Sequence, residues 1–119
     1  MRLLLIDDNV TNLELFTDVL EGDGHEVVAE GDALRGQRRA LTEDFDLIIL
    51  DIQMPGKDGY GVCRSLRGAG LSGPIIALSS NAMPDHVDAG RQAGFDTYLT
   101  KPISPAALRE AVRRFAPAA

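Results

Sequence analysis

The sequence predicts an α/β fold built on a doubly wound, five-stranded parallel sheet. Short apolar segments recur about every 20 to 28 residues along the 119-residue chain, and a segment with helical periodicity follows each one. Strict alternation of strand and helix requires right-handed crossovers, which place helices on both faces of a parallel sheet. We expect the strand order 2-1-3-4-5, with residues 1–119 forming one domain and leaving no room for a second.

The five strands are predicted from apolar runs in chain order. The predicted strands cover residues 3–6, 27–29, 47–50, 75–78 and 97–99. The third and fourth runs are continuously apolar, which is typical of strands that helices cover on both faces. We therefore expect these two strands near the centre of the sheet.

The helices are predicted from apolar residues at spacings of three and four. The predicted helices cover residues 10–20, 32–41, 60–66, 84–93 and 105–115. Asn9 is suited to cap the first helix, and Gly22 and Gly24 supply its end. Gly94 is placed to end the fourth helix, and Pro105 suits the first turn of the fifth.

Composition excludes several function classes. Twelve basic against 18 acidic residues give a formal charge of −6, which disfavours direct binding of nucleic acid or of an anionic membrane. The chain has neither an apolar run of transmembrane length nor the pattern of a signal peptide, so we expect a cytoplasmic protein. Cys63 is the single cysteine, and we expect it to be a small apolar residue on a helix.

Acidic residues follow two neighbouring strands of the predicted sheet. Asp7 and Asp8 follow the first strand, and Asp51 ends the third. Because the carboxyl ends of parallel strands meet at one edge, these three carboxylates should converge. Each like-charged pair at about 4 Å costs roughly 4 kcal/mol at an effective dielectric near 20, so the cluster needs a cation or some protonation. Oxygen ligands with room for water favour Mg²⁺.

A lone aspartate at a strand end is best explained as a cap for the following turn or helix. Three carboxylates instead favour a site where a metal holds one oxygen of Asp51 while the other attacks a phosphoryl group. Ser79 ends the fourth strand beside this place, and Lys101, after the edge strand, would reach inward over roughly 10 Å. A turn serine and a surface lysine are the ordinary alternatives. A cis bond before Pro102 would turn the chain sharply and aim Lys101 inward.

Taken together, these residues resemble the receiver domain of two-component response regulators over nearly the whole chain. The matching segments are residues 6–9 (IDDN), 50–55 (LDIQMP) followed by Gly59, 77–79 (ALS) and 98–102 (YLTKP). The resemblance implies a flavodoxin-like (βα)5 fold without an output domain, similar to single-domain chemotaxis regulators and to hybrid-kinase receivers.

The resemblance also implies a metal site and an acceptor. Asp8, Asp51 and the backbone carbonyl of Gln53 would bind Mg²⁺ directly, while Asp7 would act through water. Asp51 would accept the phosphoryl group. The residues at the positions of Gln53 and Asn81 affect the lifetime of that group in the family.

The remaining implied roles concern the phosphoryl oxygens and the response to them. Ser79 and Lys101 would bind the oxygens, and Tyr98 would swing inward when Ser79 is drawn toward the phosphate. The bond between Lys101 and Pro102 would be cis.

The implied function is a phosphorylation-activated switch rather than a classical enzyme. Asp51 would take its phosphoryl group from a phosphohistidine on a histidine kinase or a phosphotransfer protein, and slow self-catalysed hydrolysis would follow. The altered face of helix 4, strand 5 and helix 5 would regulate a separate downstream protein. The donor would dock near helix 1 and the loop after Lys101. The sequence carries no signal for an oligomeric state.

Four alternatives stand beside this interpretation. Receivers of hybrid histidine kinases are also similar at Asn9, Asn12, Gln53 and residues 81–83 (NAM), so the chain could be a fragment of one. An aspartate-nucleophile phosphohydrolase would need an acid where Gln53 stands, and a flavin-binding module would need a Ser/Thr/Gly-rich loop where Asp7 and Asp8 stand. A degenerate receiver that binds partners without phosphorylation would not require the acids, the serine and the lysine together.

Overall fold

The computed structural model describes residues 1–54, 57–80 and 83–115. Pro55 of the predicted acceptor segment, Asn81 and residues 116–119 lie outside this part of the chain. The strands of the central sheet are β1 (Arg2–Ile6), β2 (Glu26–Glu30), β3 (Leu47–Asp51), β4 (Ile75–Ser79) and β5 (Thr97–Thr100). All neighbours pair in parallel, in the order β2-β1-β3-β4-β5, so the predicted fold class and strand order are confirmed.

Helices cover both faces of the sheet and divide the core into two clusters. The helices are α1 (Val10–Gly22), α2 (Ala33–Thr42), α3 (Gly59–Gly68), α4 (Pro84–Ala93) and α5 (Pro105–Arg113). Along β1, Leu4 packs into the cluster that α2, α3 and α4 cover, whereas Leu3 and Leu5 pack into the cluster under α1 and α5. Every residue of β3 and β4 is buried, as expected for the two continuously apolar strands. Cys63 lies buried on α3, as predicted.

Most helix ends follow the predicted capping residues. The side chain of Asn9 accepts a hydrogen bond from the backbone of Asn12, and Gly94 ends α4 in the left-handed region with φ of 110°. Several predicted boundaries differ by one or two residues; α1 and α3, for example, end at Gly22 and Gly68 rather than at residues 20 and 66. Asp32 caps α2 from outside the helix, and α5 ends at Arg113 rather than at residue 115. Among the described helices, none has the length and apolar composition needed to cross a bilayer.

A short antiparallel ladder, which the sequence did not predict, joins β3 to α3. Gln53–Met54 pair with Lys57–Asp58 directly after Asp51. Gly59, the first residue of α3, lies so close to Ile52, the residue after β3, that a Cβ on Gly59 would collide with the Cα of Ile52. This close approach fixes the backbone that carries Asp51.

Candidate functional site

Three carboxylates meet at the carboxyl ends of β1 and β3. Ile6 pairs with Leu50 across these strands, so the residues that follow, Asp7 and Asp51, leave the sheet side by side. One carboxylate oxygen from each of Asp7, Asp8 and Asp51 lies within 4.8 Å of the others. Asp7 and Asp51 are buried, whereas Asp8 is exposed. The structure therefore brings together the three acids that the sequence placed at this edge.

Lys101 reaches this acidic cluster from the edge of the sheet. Its Nζ donates a hydrogen bond to Oδ2 of Asp51 at 2.7 Å and lies 3.6 Å from Oδ2 of Asp7. Its backbone N–H donates to the carbonyl of Ser79 at 2.6 Å, which ties the end of β5 to the end of β4. The bond between Lys101 and Pro102 is cis. The lysine thus points inward across β4 instead of into solvent.

Backbone and amide donors fix the two buried carboxylates. The backbone N–H of Gln53 donates to Oδ1 of Asp51 at 2.8 Å, and that of Asn9 donates to Oδ1 of Asp7 at 2.9 Å. Asn12 Nδ2 donates to Oδ2 of Asp7 at 3.2 Å. This role of Asn12 was not predicted from the sequence. Its place on the first turn of α1, directly above the acidic pair, is the signal that could have found it.

The charges at the site favour a divalent cation. Burial raises the pKa of Asp7 above its usual value, and the nearby charge of Asp51 raises it further. Burial lowers the pKa of Lys101, but the hydrogen bond to Asp51 and the negative charges of both buried carboxylates outweigh it and leave this pKa raised. Lys101 is therefore charged, and three carboxylates against one ammonium carry an excess of two formal negative charges. This oxygen-rich set fits Mg²⁺.

The loops after β3 and β4 are joined at the mouth of the site. Ser79 is buried at the end of β4, beside Asp51 on the neighbouring strand. The next residue, Ser80, donates from its backbone N–H at 2.9 Å and from its hydroxyl at 2.5 Å to Oε1 of Gln53. This contact of the Gln53 side chain was not predicted, because a pairing across 27 residues leaves no local pattern.

Comparison with known proteins identifies the family. The family model of the response regulator receiver domain matches residues 3–113. The chain belongs to this family. Receivers are phosphoacceptor regulators of two-component signalling rather than classical enzymes, so membership favours a switch over a phosphohydrolase or a flavin-binding module.

Similar proteins place such receivers in two settings. The sensor histidine kinase GacS of Pseudomonas protegens is 39% identical over 119 residues, covering 96% of this chain and 13% of the kinase. The transcriptional regulatory protein CusR of Escherichia coli K12 is 37% identical over 113 residues, covering 95% of this chain and 50% of the regulator. The receiver described here therefore spans half or less of these relatives.

A solved structure of similar sequence carries a metal at the corresponding cleft. The receiver domain of sensor histidine kinase PA1611 from Pseudomonas aeruginosa is 33% identical, with a TM-score of 0.87 and coverage of 96% of this chain and 95% of that one. That structure has a magnesium ion coordinated in the active-site cleft. Receivers bind Mg²⁺ at an acidic pocket, and Asp7, Asp8 and Asp51 form such a pocket here.

Tyr98, the remaining predicted site residue, lies next to α4. It is half-buried on β5, and its ring packs beside Gly90 of α4. Its hydroxyl oxygen lies 3.5 Å from that of Tyr60, a residue that the sequence analysis did not single out.

Proposed function

We propose that this receiver is a phosphorylation-activated switch whose phosphoryl acceptor is Asp51. The convergence of Asp7, Asp8, Asp51 and the ammonium of Lys101 at one edge of the sheet carries the proposal. Asp51 is buried between a lysine and a backbone donor, so its carboxylate has a fixed orientation. A carboxylate that served only as a helix cap would not require this arrangement.

The acidic cluster would hold Mg²⁺ through this chain's own oxygens. Asp8, Asp51 and the backbone carbonyl of Gln53 are the proposed direct ligands, and Asp7 is proposed to act through water. The excess of two negative charges and the ion in the similar PA1611 receiver support this assignment. When bound, the ion would neutralise charge between the carboxylate and the incoming phosphoryl group.

The proposed reaction moves one phosphoryl group from a phosphohistidine to Asp51. A carboxylate oxygen of Asp51 forms a bond to phosphorus while the phosphorus–nitrogen bond breaks, and the electron pair returns to the donor's imidazole. Lys101 and the hydroxyl of Ser79 bind the phosphoryl oxygens as the group arrives. Phosphoryl transfer depends mainly on positioning and charge stabilisation, which these fixed groups supply. Slow hydrolysis of the acyl phosphate would return the receiver to its starting state.

The proposed output is a change at the surface of α4, β5 and α5. Phosphorylation would draw Ser79 toward the new charge and let Tyr98 move inward, which shifts an existing equilibrium between two conformations. A separate downstream protein would read this surface. A histidine kinase or phosphotransfer protein would dock near α1 and the loop after Lys101, where Val10 is 65% exposed. The cytoplasmic location and the absence of direct nucleic-acid binding stay predictions.

Labelling with a small phosphodonor tests this proposal. The protein is incubated with acetyl phosphate, with Mg²⁺ or with a chelator, and the intact mass is measured. We expect one phosphoryl group, stable to acid and labile to alkali, that appears only with Mg²⁺ and not in Asp51→Asn. Asp44→Asn is the matched control and should label normally. Asp44 is exposed in the loop before β3, at the amino ends of the strands and away from the acidic cluster. Equal labelling of Asp51→Asn would refute the assignment, and sustained rapid release of phosphate would favour a phosphohydrolase.

A further inference from the structure

Tyr60 joins three elements of the proposed output region. Its hydroxyl donates to the backbone carbonyl of His86 at 3.0 Å, and its oxygen lies 3.5 Å from the hydroxyl of Tyr98. Tyr60 lies at the start of α3, His86 in the first turn of α4, and Tyr98 on β5. A single hydroxyl group therefore contacts both the helix and the strand that are proposed to respond to phosphorylation.

The packing around Tyr60 gives its hydroxyl a defined direction. Its ring meets the buried ring of Phe95 edge-on, with centroids 6.3 Å apart and an interplanar angle of 79°. Burial raises the pKa of the Tyr60 phenol, and the neighbouring hydroxyl of Tyr98 raises it further. The phenol therefore keeps its proton at neutral pH and can act as a hydrogen-bond donor.

Gly90 of α4 lies close to the rings of the same tyrosine pair. A Cβ on Gly90 would lie 2.9 Å from Cδ2 of Tyr98 and 3.6 Å from Cε1 of Tyr60. The ring of Tyr98 thus rests directly on the backbone of α4, where any other side chain would displace it. Tyr98 therefore contacts both the bare backbone of α4 and the hydroxyl of Tyr60.

We propose that Tyr60 is a positioning residue that holds Tyr98 and the first turn of α4 in the arrangement seen here. The inference rests on the proposed function and deepens its output step. Loss of one ordinary hydrogen bond changes an equilibrium by about two- to tenfold. Tyr60→Phe keeps the ring and its contact with Phe95 but removes the hydroxyl. The substitution should increase the fraction of molecules in which Tyr98 has left this position by about two- to tenfold.

Fluorine NMR can observe Tyr98 directly, because the chain has two tyrosines and no tryptophan. In 3-fluorotyrosine-labelled protein, Tyr60→Phe leaves Tyr98 as the single fluorinated residue, and Tyr98→Phe assigns the two wild-type resonances. Without phosphodonor or Mg²⁺, we expect the Tyr98 resonance to move in Tyr60→Phe and in Gly90→Ala. Gly68→Ala, a helical substitution with nothing within 4 Å of the added Cβ, should leave it in place. An unmoved resonance in folded Tyr60→Phe would overturn the proposal.

The rate of labelling by acetyl phosphate with Mg²⁺ provides a second readout. We expect Tyr60→Phe to label about two- to tenfold faster than the parent, because more molecules would already have the responsive conformation. Gly68→Ala should match the parent, and an unchanged or slower rate in folded Tyr60→Phe would contradict the role of Tyr60. If no protein labels, parent included, the proposed function fails, whereas the fluorine resonances still test the positioning of Tyr98.

Discussion

Replacing Lys101 by methionine removes the ammonium that balances the acidic cluster. With an effective dielectric near 20, the 2.7 Å and 3.6 Å separations correspond to attractions of roughly 6 and 5 kcal/mol to Asp51 and Asp7. At the largest separation of 4.8 Å, each of the three carboxylate pairs repels by about 3 kcal/mol. The summed attraction of the lysine to its two partners therefore offsets a summed repulsion of similar size. Breaking a buried ion pair typically costs about 3–5 kcal/mol. We take the lower end, about 3 kcal/mol, because the lysine side chain is 22% exposed.

Urea and thermal unfolding in the presence of a chelator would measure this cost. We expect the free energy of unfolding of Lys101→Met to fall by about 3 kcal/mol, and the midpoint temperature by roughly 10 °C. Added Mg²⁺ should restore much of the loss, since a divalent cation also offsets the carboxylates. In an Asp51→Asn background the same substitution should cost less, about 1–2 kcal/mol, because its closest partner is neutral and only the attraction to Asp7 remains.

The exposed Arg35→Met is the matched control for the change in net charge, and it should alter stability by less than about 0.5 kcal/mol. The electrostatic explanation would be wrong if Lys101→Met cost the same with and without Asp51. That result would assign the effect of the lysine to the packing of its aliphatic stem.

Three further predictions concern the scaffold. Gly59→Ala should lower the free energy of unfolding by about 1–3 kcal/mol because its Cβ would meet backbone, whereas Gly61→Ala, whose Cβ would lie 3.9 Å from Nη2 of Arg64, should be neutral or stabilising in urea unfolding. Equal effects of the two substitutions would contradict this. Arg67 donates hydrogen bonds to three backbone carbonyls and to Asp96, so Arg67→Lys should lower the free energy of unfolding by about 2–3 kcal/mol in the same assay. An unchanged free energy would show that these hydrogen bonds do not stabilise the fold. Burial raises the pKa of the Cys63 thiol to about 11, so a thiol-specific reagent near neutral pH should modify native protein at least about 100-fold more slowly than urea-unfolded protein; comparable rates would contradict the burial.

The strands and the acidic cluster were predictable because they follow from local pattern and topology. Continuous apolar runs identify strands covered on both faces, and residues after neighbouring parallel strands must leave the sheet together. For this reason the sequence alone predicts that Asp7, Asp8 and Asp51 lie together at the carboxyl ends of the strands. The inward reach of Lys101 was predicted from its position after the edge strand and from the proline that follows it.

The end of α5 was misplaced because apolar periodicity reports burial rather than backbone hydrogen bonding. Phe115 still packs into the cluster under α1 and α5, but its N–H bonds to the carbonyl of Val112, three residues back, in a turn that follows the helix. Asp32 was placed inside α2 for a related reason, since capping residues border the helical pattern that they initiate.

The contacts that the sequence did not predict join distant side chains or very short segments. The two-residue ladder after Asp51 is too short to show an alternating pattern. The bonds from Ser80 to Gln53 and from Tyr60 to His86 depend on how side chains cross between loops and helices. No spacing rule within one element encodes such contacts.

Chemical mapping of the phosphorylated residue would show whether Asp51 is the acceptor. Borohydride reduces an aspartyl phosphate to homoserine, and mass spectrometry of the resulting peptides then locates the modified position. We expect homoserine at residue 51, only in protein treated with phosphodonor and Mg²⁺ before reduction. Homoserine at another aspartate, or undiminished labelling of Asp51→Asn, would contradict it.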